Sequence, residues 1–523
     1  MSADRHGRRE GPHEGKRSGP AGSGGPQGAQ GSSAGRDRSG RERGPARASG
    51  RPGARTEQAP SQRRRGGDPA RTAAFDVLRE VAESDAYANL VLPPLLRRRG
   101  ITGRDAAFAT ELTYGTLRLR GRYDAVVALT ADRPAEAVDS PVLDVLRLGV
   151  HQLLSMRVPA HAAVSETVAL ARSTVGAGAA QFVNAVLRRV SADSPDEWTA
   201  RITEAAGPDQ TARLAVVHSH PAWIVRALRQ ALVADGRAAE ELIQLLAADN
   251  AAPAVTLVAR PGLVSADDLL RDVAGSTRGR WAPTAVTVPG GDPAAIDAVR
   301  QARAGVQDEG SQLVALALAA VDVGDADRRW LDLAAGPGGK SALLGAVAVG
   351  RGAQVVATEI QPHRVLLVER SVAALPEGTV EVRCADGRDV GAVEPASYDR
   401  VLVDAPCTGL GALRRRPESR WRRSPEDLSP LTQLQRELLG SALDAVRPGG
   451  VVAYVTCSPH VAETRLVVGD VLRGRTDVEQ LDAREAVRAV AGDAIPLGEG
   501  PAVQLWPHVH GTDAMHLVLL RRH

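Results

Sequence analysis

RWLDLAAGPGGK (Arg329–Lys340) is an apolar run that ends in a glycine-rich turn, and it decides the fold of the C-terminal half. Four further apolar runs follow: Ala353–Ile360 (AQVVATEI), Val380–Asp386 (VEVRCAD), Tyr398–Pro406 (YDRVLVDAP) and Gly450–Ser458 (GVVAYVTCS). Helix-like segments separate them, notably Leu431–Val446, which stops at Arg447-Pro448-Gly449-Gly450. Short apolar runs alternating with helices predict a parallel sheet covered on both faces. Ligands of such sheets bind beyond the carboxyl ends of the strands. Each of the five runs ends in a candidate residue at that edge.

Gly336-Pro337-Gly338-Gly339-Lys340 lets the backbone approach a ligand closely, and the helix N-terminus after it attracts a carboxylate or phosphate. A Walker A loop needs glycine at position 334, which holds Ala334, and the G-x-G-x-x-G dinucleotide fingerprint is absent. A phosphate-binding NTPase is therefore disfavoured. A glycine turn alone is equally compatible with a plain tight turn. Glu359 ends the second run, where a carboxylate can hold a ribose diol; a surface carboxylate is the alternative. Asp386 ends the third, where a short side chain can accept from an adenine amino group. Together, a glycine turn and two acids suit an adenosyl ligand that carries a carboxylate. S-adenosylmethionine fits that description.

Asp404-Ala405-Pro406-Cys407 ends the fourth run and Thr456-Cys457-Ser458-Pro459 the fifth. A lone cysteine is usually core packing. Here two of only three cysteines follow strands on the ligand side, while Cys384 lies inside the third run, where core packing is expected. Two thiols and an acid suit methylation of cytosine at carbon 5. That carbon is too weak a nucleophile to attack a sulfonium methyl directly. A thiolate adding to carbon 6 turns the ring into an enamine-like nucleophile. An acid at ring nitrogen 3, a role open to Asp404, balances the developing charge. The hydrogen on carbon 5 must then leave, so a second base is useful. Spacing alone does not say which cysteine is the nucleophile. The target base must be unpaired or flipped from its stack.

Upstream, residues from Asp68 to about Val190 read as helices, with Pro69 at the first start and apolar periodicity in Phe108–Leu119, Val142–Leu154, Val164–Leu170 and Gln181–Val190. Arginines there (Arg97–Arg99, Arg118, Arg120, Arg122, Arg188, Arg189) are candidates for phosphate contact or for a solvated helix face. Residues 196–305 read as a small connecting domain without assigned chemistry. Residues 1–67 hold 15 Lys+Arg against 6 Asp+Glu, a net of +9, so the overall +3 hides a mildly acidic body. That segment has almost no apolar residues and is expected to be a disordered basic tail, either a tether for RNA or a solvated extension. Lysine occurs only at positions 16 and 340, which singles out Lys340 in the folded body. No apolar run reaches the roughly 20 residues of a membrane span, and the N-terminus lacks an apolar signal core. A cytoplasmic monomer without membrane contact is expected. The three cysteines have no C-x-x-C spacing, so neither a disulfide framework nor a metal site is expected.

ELTYGTLR (Glu111–Arg118), LRLGVHQLL (Leu146–Leu154) and FVNAVLRR (Phe182–Arg189) resemble the RNA-binding helical domain of the antitermination factor NusB. VQDEGSQL (Val306–Leu313), DLAAGPGGK (Asp332–Lys340), Glu359, Asp386, DAPCTGLG (Asp404–Gly411), RRRPESRW (Arg414–Trp421) and YVTCS (Tyr454–Ser458) resemble the RNA 5-methylcytosine methyltransferases. The whole chain resembles the RsmB/Sun-type 16S rRNA enzymes. That resemblance implies a multidomain fold: an all-α NusB-like domain over 68–195, and an α/β Rossmann-like class I methyltransferase domain over 306–523. It implies Cys457 as nucleophile and Cys407 as the thiol that assists release. It also implies S-adenosylmethionine contacts from Ala334, Ala335, Gly336, Pro337, Gly338, Gly339, Lys340, Glu359, Asp386 and Asp404, and 16S rRNA as partner. Ala334-Ala335-Gly336 and GTDAMH (Gly511–His516) depart from the family pattern; the second puts base stacking in doubt. A tRNA cytosine-5 methyltransferase and a non-catalytic RNA-binding adaptor are the alternatives. The NusB-like region argues against the first, and intact Asp404, Cys407 and Cys457 argue against the second.

Overall fold

The structure is a computed structural model in which residues 67–84 and 86–523 are described. The basic segment read over 1–67 therefore lies, but for Gly67, outside the described residues.

Asp68 caps the first helix, Pro69–Glu83, by accepting from Arg71 N, and Pro69 occupies its first turn. Helices Ala88–Arg98, Gly103–Arg118, Arg120–Ala131, Ser140–Leu154, Ala160–Thr174 and Ala177–Val190 follow. Their apolar stripes share one core that includes Leu78, Leu112, Tyr123, Leu146 and Leu187. Most of the arginines marked for phosphate contact hold protein partners instead. Arg118 is buried, Arg97 pairs with Asp292, Arg99 with Asp76 and Arg189 with Asp132.

Between residues 195 and 306 the chain builds two different parts. Helices Pro195–Ala205, Gln210–Val217, Ala222–Ala234 and Leu242–Asn250 come first. The last two pack against Leu410, Leu413 and Trp506. Then β1 (Val255–Ala259), β2 (Thr277–Arg278), β3 (Ala285–Val288) and β4 (Ala304–Val306) form an antiparallel sheet in the order β2-β3-β1-β4. Only β1 carries a readable apolar run.

The C-terminal sheet holds β5 (Arg329–Asp332), β6 (Gln354–Glu359), β7 (Val380–Cys384), β8 (Tyr398–Asp404), β9 (Val446–Thr456), β10 (Val478–Leu481), β11 (Val503–Gln504) and β12 (His516–Arg522). Its order is β10-β12-β9-β8-β5-β6-β7, with β11 paired to β12. The strands from β9 to β7 are parallel, as the alternating pattern predicts. Trp330, Val355, Leu402 and Val451 point to one face, against helices Glu309–Ala320 and Gly339–Val349. Leu331, Val356, Val401 and Val452 point to the other, against helix Leu428–Ala445. This two-sided burial is why the strands read as unbroken apolar runs.

Three expectations are corrected. The sheet is mixed, because β12 runs antiparallel to β9 and carries β10 and β11. The strand β9 begins at Val446, before the Pro-Gly-Gly stop. Val446 pairs with Tyr398 and the ladder resumes at Val451 with Arg400, so residues 447–450 bulge out of the strand. Cys384 is exposed rather than core, since it ends β7 at the sheet's open edge.

Candidate active site

Strand order reverses at β5. The chain steps outward through β6 and β7, then returns to β8 on the other side. Ligands bind at the carboxyl ends of strands beside such a reversal. The turn after β5 leaves the sheet there, with Ala335 N donating to Thr358 O at 2.8 Å. Gly338 has φ +97°, and a Cβ on it would lie 2.8 Å from the Val368 backbone, so only glycine fits this corner. It starts helix Gly339–Val349, whose first turn carries Lys340.

Lys340 and Asp404 come from either side of the reversal, with Nζ 2.7 Å from Oδ2. Burial alone would lower the Lys340 pKa, but the Asp404 carboxylate outweighs it and holds it raised. Asp332, at the end of β5, is buried and accepts from Ser341 Oγ at 2.6 Å. Burial pushes its pKa up to about 6. Glu359 is buried, accepting from Gly336 N at 3.1 Å and Gln361 N at 2.9 Å, so it braces the glycine turn. Asp386 sits beyond β7 and is engaged by the Arg388 guanidinium.

The two cysteines, fifty positions apart, meet. Cys407 Sγ and Cys457 Sγ are 3.4 Å apart, within hydrogen-bonding range for sulfur. Their loops leave neighbouring parallel strands, and Gly411 N donates to Cys457 O at 2.9 Å. The sulfurs are electrostatically unequal. The hydrogen bond to Cys457, together with burial, pushes the Cys407 thiol well above its ordinary range. The hydrogen-bonding contact with Cys407 lowers the Cys457 pKa, with Lys340 and Arg416 adding to the effect against burial and Asp404. The surroundings thus favour the thiolate at Cys457 and the thiol at Cys407.

Several residues of this region lie in segments quoted above but carry no role assigned from the sequence. Asp308 and Asp513 are buried together and bind Arg414 and Arg415: Arg414 Nη2 to Asp308 Oδ1 is 3.0 Å, and Arg414 Nε to Asp513 Oδ1 is 3.0 Å. Asp513 belongs to GTDAMH, so this segment braces the Cys407 loop. Glu463 is fully buried between the cysteine loops. Its position five residues after the Thr-Cys-Ser motif is the one sequence feature that points to it, and its burial is visible only in the fold. A cavity of about 710 Å³ opens elsewhere, between the N-terminal helices and Glu418–Arg423, and neither cysteine lines it.

A doubly wound sheet with a glycine turn at its reversal and reactive side chains on the next strands defines a Rossmann-like, S-adenosylmethionine-dependent methyltransferase. Residues 318–521 match the family described as 16S rRNA methyltransferase RsmB/F, and residues 68–192 match the NusB family. The chain belongs to the RsmB/F family of rRNA methyltransferases, with a NusB domain before its catalytic half. It is 53% identical to the putative methyltransferase Rv1407 of Mycobacterium tuberculosis, over 89% of this chain and 99% of that one. It is 30% identical to the ribosomal RNA small subunit methyltransferase B of Vibrio cholerae, over 86% of this chain and 97% of that one. Among solved structures, PH0851 shares the fold with a TM-score of 0.71 at 19% identity, covering 88% of this chain and 99% of that one.

Proposed function

We propose that this chain methylates carbon 5 of a cytosine in 16S rRNA, in the cytoplasm, through a covalent cysteine–cytosine adduct. The observation that carries the reading is the 3.4 Å approach of two unequal thiols beside the Lys340–Asp404 pair. Relatives named ribosomal RNA small subunit methyltransferase B support 16S rRNA as the substrate.

Residues Ala334–Lys340, Glu359, Asp386 and Asp404 would hold S-adenosylmethionine. The fit is supported by Asp332, whose Oδ1 is buried without a hydrogen-bond partner among the described residues and would accept from the ligand's ammonium group. When bound, the cofactor supplies an electrophilic methyl group. Cys457, as thiolate, forms a bond to carbon 6 of the cytosine, and the ring's electron pair moves toward nitrogen 3. Asp404, hydrogen-bonded to the Lys340 ammonium, relays a proton from it to that nitrogen and takes the proton back when the ring double bond is restored. Lys340 keeps the Asp404 carboxylate in place and lowers the cost of the Cys457 thiolate. Cys407 begins as the protonated partner. Once Cys457 is bonded to carbon 6 and its charge is consumed, Cys407 loses its proton to solvent water, and after carbon 5 has gained its methyl group the Cys407 thiolate takes the carbon 5 hydrogen. The electrons of that C–H bond restore the ring double bond and expel Cys457. The NusB domain contributes RNA contact.

Purified protein with methyl-labelled cofactor and naked or partly assembled 16S rRNA tests this. Label is expected in cytosine of 16S rRNA, and Cys457→Ala is expected to abolish it. Transfer surviving that substitution rejects Cys457 as nucleophile. Labelling of tRNA in preference to 16S rRNA rejects the substrate.

A further inference from the structure

Glu463 is 0% exposed, so its carboxylate meets no solvent, and it is surrounded by donors from the two cysteine loops and from helix Leu428–Ala445. Thr408 N, at 2.7 Å, and Gln435 Nε2, at 3.2 Å, donate to Oε1. Thr408 Oγ1, at 2.5 Å, and Ser458 Oγ, at 2.6 Å, donate to Oε2. Thr408 directly follows Cys407, and Ser458 directly follows Cys457. Gln435 also donates to Pro406 O at 2.8 Å, on the other side of Cys407. The carboxylate thus touches the residue after each thiol, and its partner Gln435 touches the residue before one of them.

The backbone that presents Glu463 is itself unusual. Ala462–Leu466 is a π-helical turn, with Leu466 N donating to Val461 O five residues back. Such turns are rare and concentrate at functional sites. Tyr454 OH, from β9, donates to Glu463 O at 2.7 Å and fixes the turn against the strand that carries Cys457. A buried carboxylate is costly unless its acceptor positions are used. Here they are used to join two loops, not to satisfy the helix that carries it.

We propose that Glu463 is a positioning residue that clamps the Cys407 and Cys457 loops together and sets the spacing of their sulfur atoms. This rests on the reading of those thiols as the reacting pair, which must act on neighbouring ring carbons. A misplacement of about 1 Å between reacting groups can cost on the order of a hundredfold in rate. Glutamine at this position keeps the clamp: its carbonyl accepts from Thr408 N and Gln435, and its amide donates to the two hydroxyls. Alanine removes all four contacts.

The test uses the full chain carrying Cys384→Ser, so that only the paired thiols remain. Phenylarsine oxide binds tightly only where one arsenic bridges two nearby thiols. Glu463→Ala is expected to lower its affinity by about tenfold, the equivalent of one lost buried hydrogen bond, while Glu463→Gln stays near the parent. In the methylation assay Glu463→Ala is expected to lower kcat by roughly a hundredfold with KM for S-adenosylmethionine unchanged, and Glu463→Gln to recover most of it. Parent-like arsenical capture and turnover in Glu463→Ala overturns the clamp. So does Glu463→Gln failing as badly as alanine. Should Glu463→Ala not fold, Ser458→Ala and Thr408→Val each remove one tether. Weakened capture in either supports the clamp, and unchanged capture in both overturns it. Arsenical capture needs neither RNA nor cofactor. If it depends on Glu463 while the parent methylates no cytosine, the clamp stands and the methyl-transfer reading falls.

Discussion

At the scale of single residues, the two sulfurs differ because of what surrounds them. Cys457 lies within hydrogen-bonding range of the Cys407 sulfur and feels the Lys340 cation, so its thiolate persists to lower pH than an ordinary cysteine's. A lowered pKa means the reactive form is lost only as pH falls through the lowered value. The rate is therefore expected to rise with pH along an acid limb that lies below the range of a free thiol, measured as kcat/KM against pH. Lys340→Met removes the cation and is expected to move that limb toward higher pH; an unmoved limb would show that Lys340 does not act on Cys457. Cys407→Ala is expected to trap the RNA covalently, visible as a retarded protein band under denaturing conditions, because the carbon 5 proton then lacks its base. Turnover without trapped adduct would remove the release role. The chain positions of these residues were legible in the sequence. Their inequality was not, since it depends on a 3.4 Å contact between residues fifty positions apart.

At the scale of elements, turns and loop contacts hold the chemistry in place. Gly411 passes so close to its neighbours that a Cβ would lie 2.3 Å from Ala514 O and 2.9 Å from Cys457 O. Both are backbone atoms and cannot swing away. Gly411→Ala is expected to push the Cys407 loop off the Cys457 loop, costing about 1–3 kcal/mol of stability by thermal unfolding and a larger fraction of activity. A variant with parent-like melting and turnover would show that the loops tolerate separation. The parallel strands β5, β6, β8 and β9 were readable because both faces are largely buried and their apolar runs are nearly continuous, whereas β7, at the sheet edge, carries only the alternating Val380 and Val382. The short strands β10 and β11 (Val478–Leu481 and Val503–Gln504) gave no such signal. Arg447-Pro448-Gly449-Gly450 has the composition of a stop, yet it is a bulge that the ladder resumes beyond.

At the scale of the whole molecule, the N-terminal helices and the catalytic sheet are joined by a buried cation. Arg420 is fully buried and donates to Arg118 O at 2.8 Å, Ser219 O at 3.1 Å, Asn250 Oδ1 at 2.7 Å and Asp249 O at 2.7 Å. Burial lowers its pKa to about 10, so it stays cationic at neutral pH. Arg420→Ala strands these acceptors and is expected to cost about 3 kcal/mol or more, read as a lower melting temperature and faster proteolysis between the N-terminal and catalytic parts. A melting temperature equal to the parent's would show that the parts are held by other contacts. The sequence by itself determined the alternation of strands and helices, the glycine turn, and the acids and thiols that end successive strands. These follow from local periodicity and side-chain type, which each segment carries alone. Only the tertiary structure decided that β8 lies between β5 and β9, and this neighbourhood is what joins Lys340 to Asp404 and Cys407 to Cys457. It also decided the partners of Glu463, Asp308, Asp513 and Arg420. A buried polar group is stable only through partners remote in the chain, and no periodic pattern marks where those partners will be.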